Sequence, residues 1–299
     1  PLRDDKIIAA WNGLMISALA QAGWALAEDR YVDAASRAAR FVLDRMRGPS
    51  DRLVRTSRDG VHSGPGFLDD YAFMVAACLD LYETTGDPAW LEAALALQRD
   101  QDEWFSDPDG GYFLTASDAE DLLVRETPVY DGAVPSGNSV AAANLLRLHD
   151  LTAQSEWRTR AERLFASVSL RLTRAPTGSP LLLAALDRYY DTPLEVAIIA
   201  SDGERDGLEL ARTLRASYVP NKVFLVLDEP AAASQSTLVP WLAAKRSIDG
   251  RATAYVCERG RCELPTSDPK RFEKQLAKRT PYPSFSERPP PRLPFERPR

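Results

Sequence analysis

The sequence predicts a mainly α-helical protein, with helical hairpins in the two-layer arrangement of an α/α toroid and then a small α/β region. Three observations carry that prediction. Paired apolar stripes recur at helical spacing through the first part of the chain. The first helix of each pair is apolar or small nearly all round, whereas the second carries solvent-type charge. After Pro180, short apolar runs alternate with helical stretches, the pattern of βαβ units.

Taken in order, Trp11, Leu14, Met15, Ala18, Leu19, Ala22 and Leu26 mark the first helix. Tyr31, Ala34, Ala35, Ala38, Ala39, Val42 and Leu43 mark its partner across a break at Glu28-Asp29-Arg30. The second hairpin opens with Gly66-Phe67-Leu68-Asp69-Asp70-Tyr71-Ala72-Phe73. It runs to about Thr85, turns at Thr84-Thr85-Gly86-Asp87-Pro88 and returns through Trp90, Ala93, Ala94 and Leu97. Ser139 to Leu151 pairs with Trp157, Ala161, Leu164, Phe165 and Val168 as the third. The aromatics that open the outer helices, Tyr31, Trp90 and Trp157, are spaced by 59 and 67 residues, and so are Asn12, Tyr71 and Asn138 on the inner ones. Two landmarks that keep one spacing define an internal repeat. Three hairpins and a partial fourth leave a ring open, so exposed apolar surface is expected along Trp11, Leu14 and Ala18, or its burial against the C-terminal segment or a second copy. An open α-solenoid is the plainer alternative.

Between hairpins, Gly110 to Thr115 and Leu122 to Arg125 are expected to form a β-hairpin. Asp107-Pro108-Asp109-Gly110-Gly111 resembles a calcium loop but lacks its acidic twelfth position, so a turn is expected. A helix near 181–190 leads to runs at 196–200, 223–227 and 252–257, read as a small parallel sheet with helices near 208–217 and 238–244 between them. No Gly-x-Gly-x-x-Gly follows any of these strands, which argues against a nucleotide site. The expected boundaries are 1–191 for the hairpins, 192–280 for the α/β region and 281–299 for a proline- and arginine-rich tail, extended in form.

Composition bounds the function. The formal charge of −6 disfavours nucleic acid as a partner. No apolar run approaches the ~18 residues that span a bilayer, and no signal pattern precedes the first helix, so a cytoplasmic protein without a membrane partner is expected. Three cysteines suit a reducing compartment better than a disulfide scaffold. Two histidines, His62 and His149, offer little for a metal site, and no cofactor is expected. Cys257 and Cys262 flank a turn-like Glu258-Arg259-Gly260-Arg261 and should face each other across a hairpin, as a reduced pair or a reversible disulfide. The chain opens on proline close to a helix, which suggests a piece of a longer protein.

Inner helices of an α/α ring run the same way, so their N-termini share a rim. That rim gathers Asp4, Asp5, Trp11, Asn12, Asp69, Asp70, Tyr71, Asp131, Ser136 and Asn138. Asp69 and Asp70 are the candidate catalytic pair, an acid and a base flanking a glycosidic bond. Asp5, Asn12, Asp131, Ser136 and Asn138 would position a small-molecule ligand, with Trp11 and Tyr71 as stacking surfaces. The competing reading is capping, for which Asp, Ser and Asn are the preferred residues. Of the adjacent pair, Asp69 is expected to cap and Asp70 to point inward. His149 is expected to be hydrogen-bonded and structural, and Cys78 to pack in the core.

With Asp4-Asp5-Lys6, Trp11-Asn12-Gly13-Leu14-Met15, Gly66-Phe67-Leu68-Asp69-Asp70-Tyr71-Ala72 and Pro135-Ser136-Gly137-Asn138-Ser139 in view, the chain resembles a known family. It is similar to the C-terminal part of the thioredoxin-domain-fused proteins that include spermatogenesis-associated protein 20 and bacterial relatives. Asp107…Gly110-Gly111-Tyr112-Phe113, Asp131-Gly132-Ala133 and Tyr255-Val256-Cys257…Cys262 add to the likeness, which runs from Asp4 to about Leu276. The resemblance implies a six-hairpin, glycosidase-like (α/α)6 toroid, here an incomplete ring. It also implies a sugar-like ligand and a thioredoxin-like domain of the same full-length chain as partner. The expected function is hydrolysis, isomerisation or binding of a carbohydrate; the alternative is a non-catalytic helical scaffold serving the thioredoxin-like domain.

Overall fold

A computed structural model describes residues 4–119, 122–200 and 204–278. Its contacts divide the chain into two compact units, 1–145 with 160–185, and 146–159 with 186–299. The protein is mainly α, with toroid-type helical hairpins and a small α/β region. The expected 281–299 tail lies outside the described residues.

The first unit begins with β1 (Ile7–Ile8), α1 (Ala9–Leu26) and α2 (Asp29–Arg45). β2 (Val54–Arg58) and β3 (Val61–Pro65) follow, forming with β1 an antiparallel sheet of order β1-β2-β3 that sequence periodicity did not suggest. Its turn is Asp59-Gly60, with φ of 51° and 78°, the positive pair that a two-residue hairpin turn requires. Next come α3 (Leu68–Thr85), α4 (Pro88–Phe105), α5 (Gly137–Thr152), α6 (Ser155–Arg174) and α7 (Pro180–Tyr190). The tip of the α5–α6 hairpin and the end of α7 belong to the second unit.

α3 is the centre of the first unit: 14 of its 18 residues are buried. Gly13 of α1 lets the two helices touch, since a Cβ there would lie 2.8 Å from the Phe73 backbone carbon. Gln21 Nε2 of α1 donates to Asp80 of α3 at 3.0 Å. On the other flank, Asn144 Nδ2 of α5 donates to the Ala72 carbonyl at 2.7 Å. The inner helices therefore lie in the order α1, α3, α5. α4 closes a turn capped at both ends: Gly86 (φ 69°) ends α3, and Asp87 accepts the Ala89 N–H to start α4.

α1 differs sharply from α3. It buries only Ala9, Ala10, Gly13, Ile16, Ala20 and Gly23, a single face of small residues around Ile16. Trp11 is 61% exposed and Met15 58%, Ala18 is exposed and Leu14 half-buried. The expected exposed apolar surface is thus present at Trp11 and Ala18 and only partly so at Leu14.

The β-hairpin expected at 110–115 and 122–125 is absent among the described residues. Gly110 and Gly111 adopt φ of 110° and 80°, which turns the chain out of extended form. Leu123 and Val124 are exposed and have no sheet to face. A bridge between Ser106 and Tyr112, a Leu114 N–H to Glu126 carbonyl bond and an Arg125 to Thr115 carbonyl bond stand in its place. Asp107 folds its own turn, accepting the Asp109 N–H at 2.9 Å.

The second unit holds β4 (Leu194–Ala200), α8 (Glu204–Ala216), β5 (Lys222–Asp228), α9 (Glu229–Gln235), β6 (Thr253–Glu258), β7 (Arg261–Cys262) and α10 (Pro269–Ala277). The sheet order is β5-β4-β6-β7. β4 and β5 are parallel, joined through α8, but β6 runs antiparallel to β4, so the sheet is mixed rather than parallel. A single 3-10 turn at Pro240–Leu242 stands where a helix was expected near 238–244. Cys257 and Cys262 are opposed across the β6–β7 hairpin and joined as a disulfide.

Candidate functional site

The N-termini of α1, α3 and α5 meet through the Asp69-Asp70 pair. Asp70 is the third residue of α3, and its Oδ2 reaches back to the Phe67 N–H at 2.8 Å, the carboxylate half of a capping box. The same oxygen accepts from Arg55 Nη1 at 3.1 Å, and Oδ1 accepts the Ala10 N–H of α1 at 2.8 Å. Its side chain is wholly buried. Desolvation pushes its pKa up, against the Phe67 and Ala10 N–H groups and the Arg55 charge. The expected roles are thus reversed: Asp70, not Asp69, is the cap. A helix residue at the third position can fold back on its own first turn while its second oxygen faces the neighbouring helix.

Asp69 points the other way, toward α5. Its Oδ1 is buried without a hydrogen-bond partner and sits where a Cβ on Gly137 would come within 2.6 Å. The Gly137 N–H favours the charged form, although Oδ1 itself has no hydrogen-bond partner. Burial first, and the Asp70 charge second, raise the Asp69 pKa. The residue is half-buried, so solvent reaches it.

The other candidates divide between caps and surface. Asp131 Oδ1 accepts the Ser136 N–H at 2.9 Å and its Oδ2 the Leu181 N–H at 2.8 Å, tying the start of α5 to the start of α7. Ser136 Oγ accepts the Ser139 N–H at 3.2 Å and lies 2.8 Å from Ser139 Oγ. Asn138 is buried, with Oδ1 on the Tyr112 N–H and Nδ2 on the Tyr112 and Pro128 carbonyls. Asn12 donates to the Ile8 carbonyl at 2.9 Å. Tyr71 is buried, its hydroxyl accepting the Leu53 N–H at 3.1 Å and its ring packed 5.1 Å from Phe105. Asp5 is exposed and paired with Arg58 at 2.7 Å. Trp11 is the candidate with a largely free aromatic face.

Sequence reasoning missed Arg55, which links the sheet to the rim. Its guanidinium contacts Asp70 and lies 4.8 Å from the Phe67 ring centroid. Beside the rim, a cleft of ≈ 590 Å³ is lined by Tyr71, Phe105, Arg47, Arg52 and His62. His149 and Cys78 occupy structural positions: His149 Nδ1 is 3.0 Å from the Gln154 carbonyl, and the buried Cys78 thiol is pushed up to about 12 by desolvation. Among the described residues no group of three or more His, Cys, Asp or Glu side chains is placed to hold a metal ion. Nor is any described helix long and apolar enough to cross a membrane.

No protein-family model matches the chain. It is 39% identical over 287 residues to spermatogenesis-associated protein 20 of Homo sapiens, covering 92% of this chain and 36% of that protein. The Mus musculus protein of the same name is 38% identical, with 91% and 36% covered. An uncharacterised Caenorhabditis elegans protein is 32% identical over 276 residues, with 89% and 37% covered. Similar solved structures include cellobiose 2-epimerase from Spirochaeta thermophila, at TM-score 0.44 and 19% identity over 53% of this chain and 42% of that one. A GH76 α-mannanase from Bacteroides thetaiotaomicron gives TM-score 0.47 and 17% identity over 56% and 46%. The chain spans about a third of the length of the curated relatives it matches. With these sequence likenesses running over nearly all of its own length, the chain belongs to the family of spermatogenesis-associated protein 20.

Proposed function

We propose that the first unit binds a carbohydrate at the rim of its inner helices, with Asp69 as the polar contact and Trp11 as an exposed stacking face. The observation that carries this reading is the placement of Asp69: a half-buried residue of the rim whose Oδ1 has no hydrogen-bond partner. Buried polar atoms are nearly always paired, so an unmatched acceptor beside an accessible surface suits a ligand hydroxyl. The ligand class follows from the resemblance of the rim motifs to six-hairpin, glycosidase-like proteins. Binding is favoured over hydrolysis. Two-carboxylate hydrolysis needs both groups at the scissile bond, whereas Asp70 is fully buried and accepts three hydrogen bonds.

The second reading, a non-catalytic scaffold serving a thioredoxin-like domain of the full-length protein, is favoured by the number of rim side chains engaged in caps. Isothermal titration against neutral mono- and disaccharides distinguishes the two. A ligand whose affinity drops at least about tenfold in Trp11→Ala supports the carbohydrate site. Absence of binding across the panel, or an affinity indifferent to Trp11, favours the scaffold.

A further inference from the structure

A second constellation lies in the second unit. Glu195 of β4 is directly opposite Cys257 of β6, and Cys257 is opposite Cys262 of β7. Directly opposed residues share one face of a sheet, so the carboxyl and both sulfurs form a row across three strands. That face lines a cleft of ≈ 840 Å³ to which Glu195, Cys262, Lys245 and Trp241 all contribute. The turn between the cysteines is Arg259-Gly260, with φ of 48° and 74°, the positive pair that a two-residue hairpin turn requires.

The two sulfurs are unequal. Cys262 is exposed, whereas Cys257 is buried at 1% exposure. An incoming thiolate therefore meets Cys262, and the sulfur that must leave is the buried one. A buried thiolate is costly without a proton or a cation close by. Glu195 is the group beside it, with Oε2 buried and unpartnered. Burial raises the Glu195 pKa to about 7, with Lys245 opposing and Asp150 adding to the rise. The titratable and charged groups that line the cleft around Glu195 are Lys245, Asp150, His149, Arg158, Asp191 and Arg259. Asp150 is held by Arg188, and Asp191 accepts from Asn221. Lys245 is drawn in by the Trp241 carbonyl and lies 5.5 Å from the Tyr255 ring.

We propose that Cys257–Cys262 is a thiol–disulfide exchange site whose reaction partner is a dithiol, with Glu195 carrying the proton. One thiolate of the dithiol attacks Cys262 Sγ and forms a mixed disulfide. The Cys257–Cys262 bond breaks, its electron pair leaves on Cys257 Sγ, and that sulfur takes the proton of the Glu195 carboxyl. The second thiol of the dithiol gives its proton to the Glu195 carboxylate and attacks its own sulfur in the mixed disulfide. Cys262 leaves as a thiolate, open to a proton from water. Two electrons pass from the dithiol, which closes to a cyclic disulfide, to the cysteine pair.

The test uses the 299-residue chain, folded, with dithiothreitol as the dithiol and alkylation followed by mass measurement as the readout. Cys78 is buried and does not compete for the reagent. In the parent, the rate constant normalised to thiolate concentration should fall about tenfold between about pH 6 and about pH 8.5, as the Glu195 proton is lost. In Glu195→Gln that profile should be flat, and in Lys245→Met its inflection should move to higher pH, because the opposing cation is gone. Circular dichroism confirms that each variant is folded. A pair that stays oxidised until denaturant is added overturns the proposal, as does a parent profile as flat as that of Glu195→Gln. Cys262→Ser must abolish the exchange; exchange that persists in it also overturns the assignment.

Discussion

At the rim of the first unit both oxygens of Asp70 and of Asp131 meet donors, whereas in the cleft of the second unit Glu195 keeps a buried oxygen that meets none. Both regions hold carboxyl groups that are partly desolvated. The difference is what the carboxylates face: helix N-termini supply free N–H groups by construction, and a strand within a sheet does not. A carboxylate at a helix start is therefore structural until shown to have oxygen to spare, and one in the middle of an apolar strand is the reverse. Asp69 belongs with Glu195 in this division, although it stands next to Asp70 in the chain.

The largest effect should come from the fully matched group. Asp70→Ala removes the acceptor from Arg55, Phe67 and Ala10 and leaves a guanidinium and two N–H groups without it. Loss of one partner of a buried ion pair costs about 3–5 kcal/mol, and because the Arg55 side chain is 32% exposed the lower end of that range applies. Urea denaturation should show a loss of that size. A loss below about 1 kcal/mol, the scale of a single exposed cap, would mean that Asp70 does not join α1 to α3.

Asp131→Ala comes next. It uncaps the starts of α5 and α7 together, at about 1 kcal/mol each, so a loss of about 2 kcal/mol is expected in the same measurement. Asp131→Asn should recover about half of it, since an amide offers one acceptor oxygen in place of two.

Glu195→Gln should act in the opposite sense, and only at high pH. The folded-state pKa of about 7 lies above the ordinary value of 4.5, so the folded protein holds this proton more tightly than the unfolded chain. Stability is then lost as pH rises from the lower value to the higher one, and the whole loss is present at pH 8. The shift alone corresponds to at most ~3 kcal/mol, which solvent in the cleft reduces to about 1–2 kcal/mol. The variant should be more stable than the parent by that amount at pH 8 and equal to it near pH 4. A pH-independent difference would place Glu195 in a conventional hydrogen bond and erase the contrast with the rim.

The hairpins were legible in the sequence because helical periodicity and the paired landmark spacing are local signals that packing preserves. The small sheet β1-β2-β3 was equally local at Asp59-Gly60, but its strands carry mixed polar residues and no clean alternation, so only the turn marks it. The strands expected at 110–115 and 122–125 failed for a related reason: apolar content suggested pairing, while the two glycines set the backbone elsewhere. The site was least legible. Whether Asp69 or Asp70 caps depends on Arg55 and on the approach of α1 and α5, all distant in sequence. Glu195 did leave a signal, a single acid within Leu194-Glu195-Val196-Ala197-Ile198-Ile199, a run otherwise suited to burial.

The smallest change in stability should accompany Asp69→Asn, and it is the most informative about function. Desolvation raises the Asp69 pKa above 3.8, with the Asp70 charge contributing after it. The ionised form is thus disfavoured in the folded state, and the associated cost appears as pH rises past the unfolded value and is complete once pH exceeds the raised folded value. An amide removes that charge, so at pH 7 the variant should be unchanged or more stable by less than about 1 kcal/mol, solvent exposure keeping the figure low. Near pH 3 the two proteins should melt together. Should the rim bind a sugar, the same substitution replaces a charged acceptor by a weaker neutral one, and affinity should fall about tenfold or more, the scale of a lost hydrogen bond to a charged group. Stability and binding then move in opposite directions, which a cap cannot produce: loss of a cap lowers both. If Asp69→Asn instead melts about 1 kcal/mol less stably at pH 7, Asp69 is holding the Gly137 N–H after all, and the rim is a set of joints between helices.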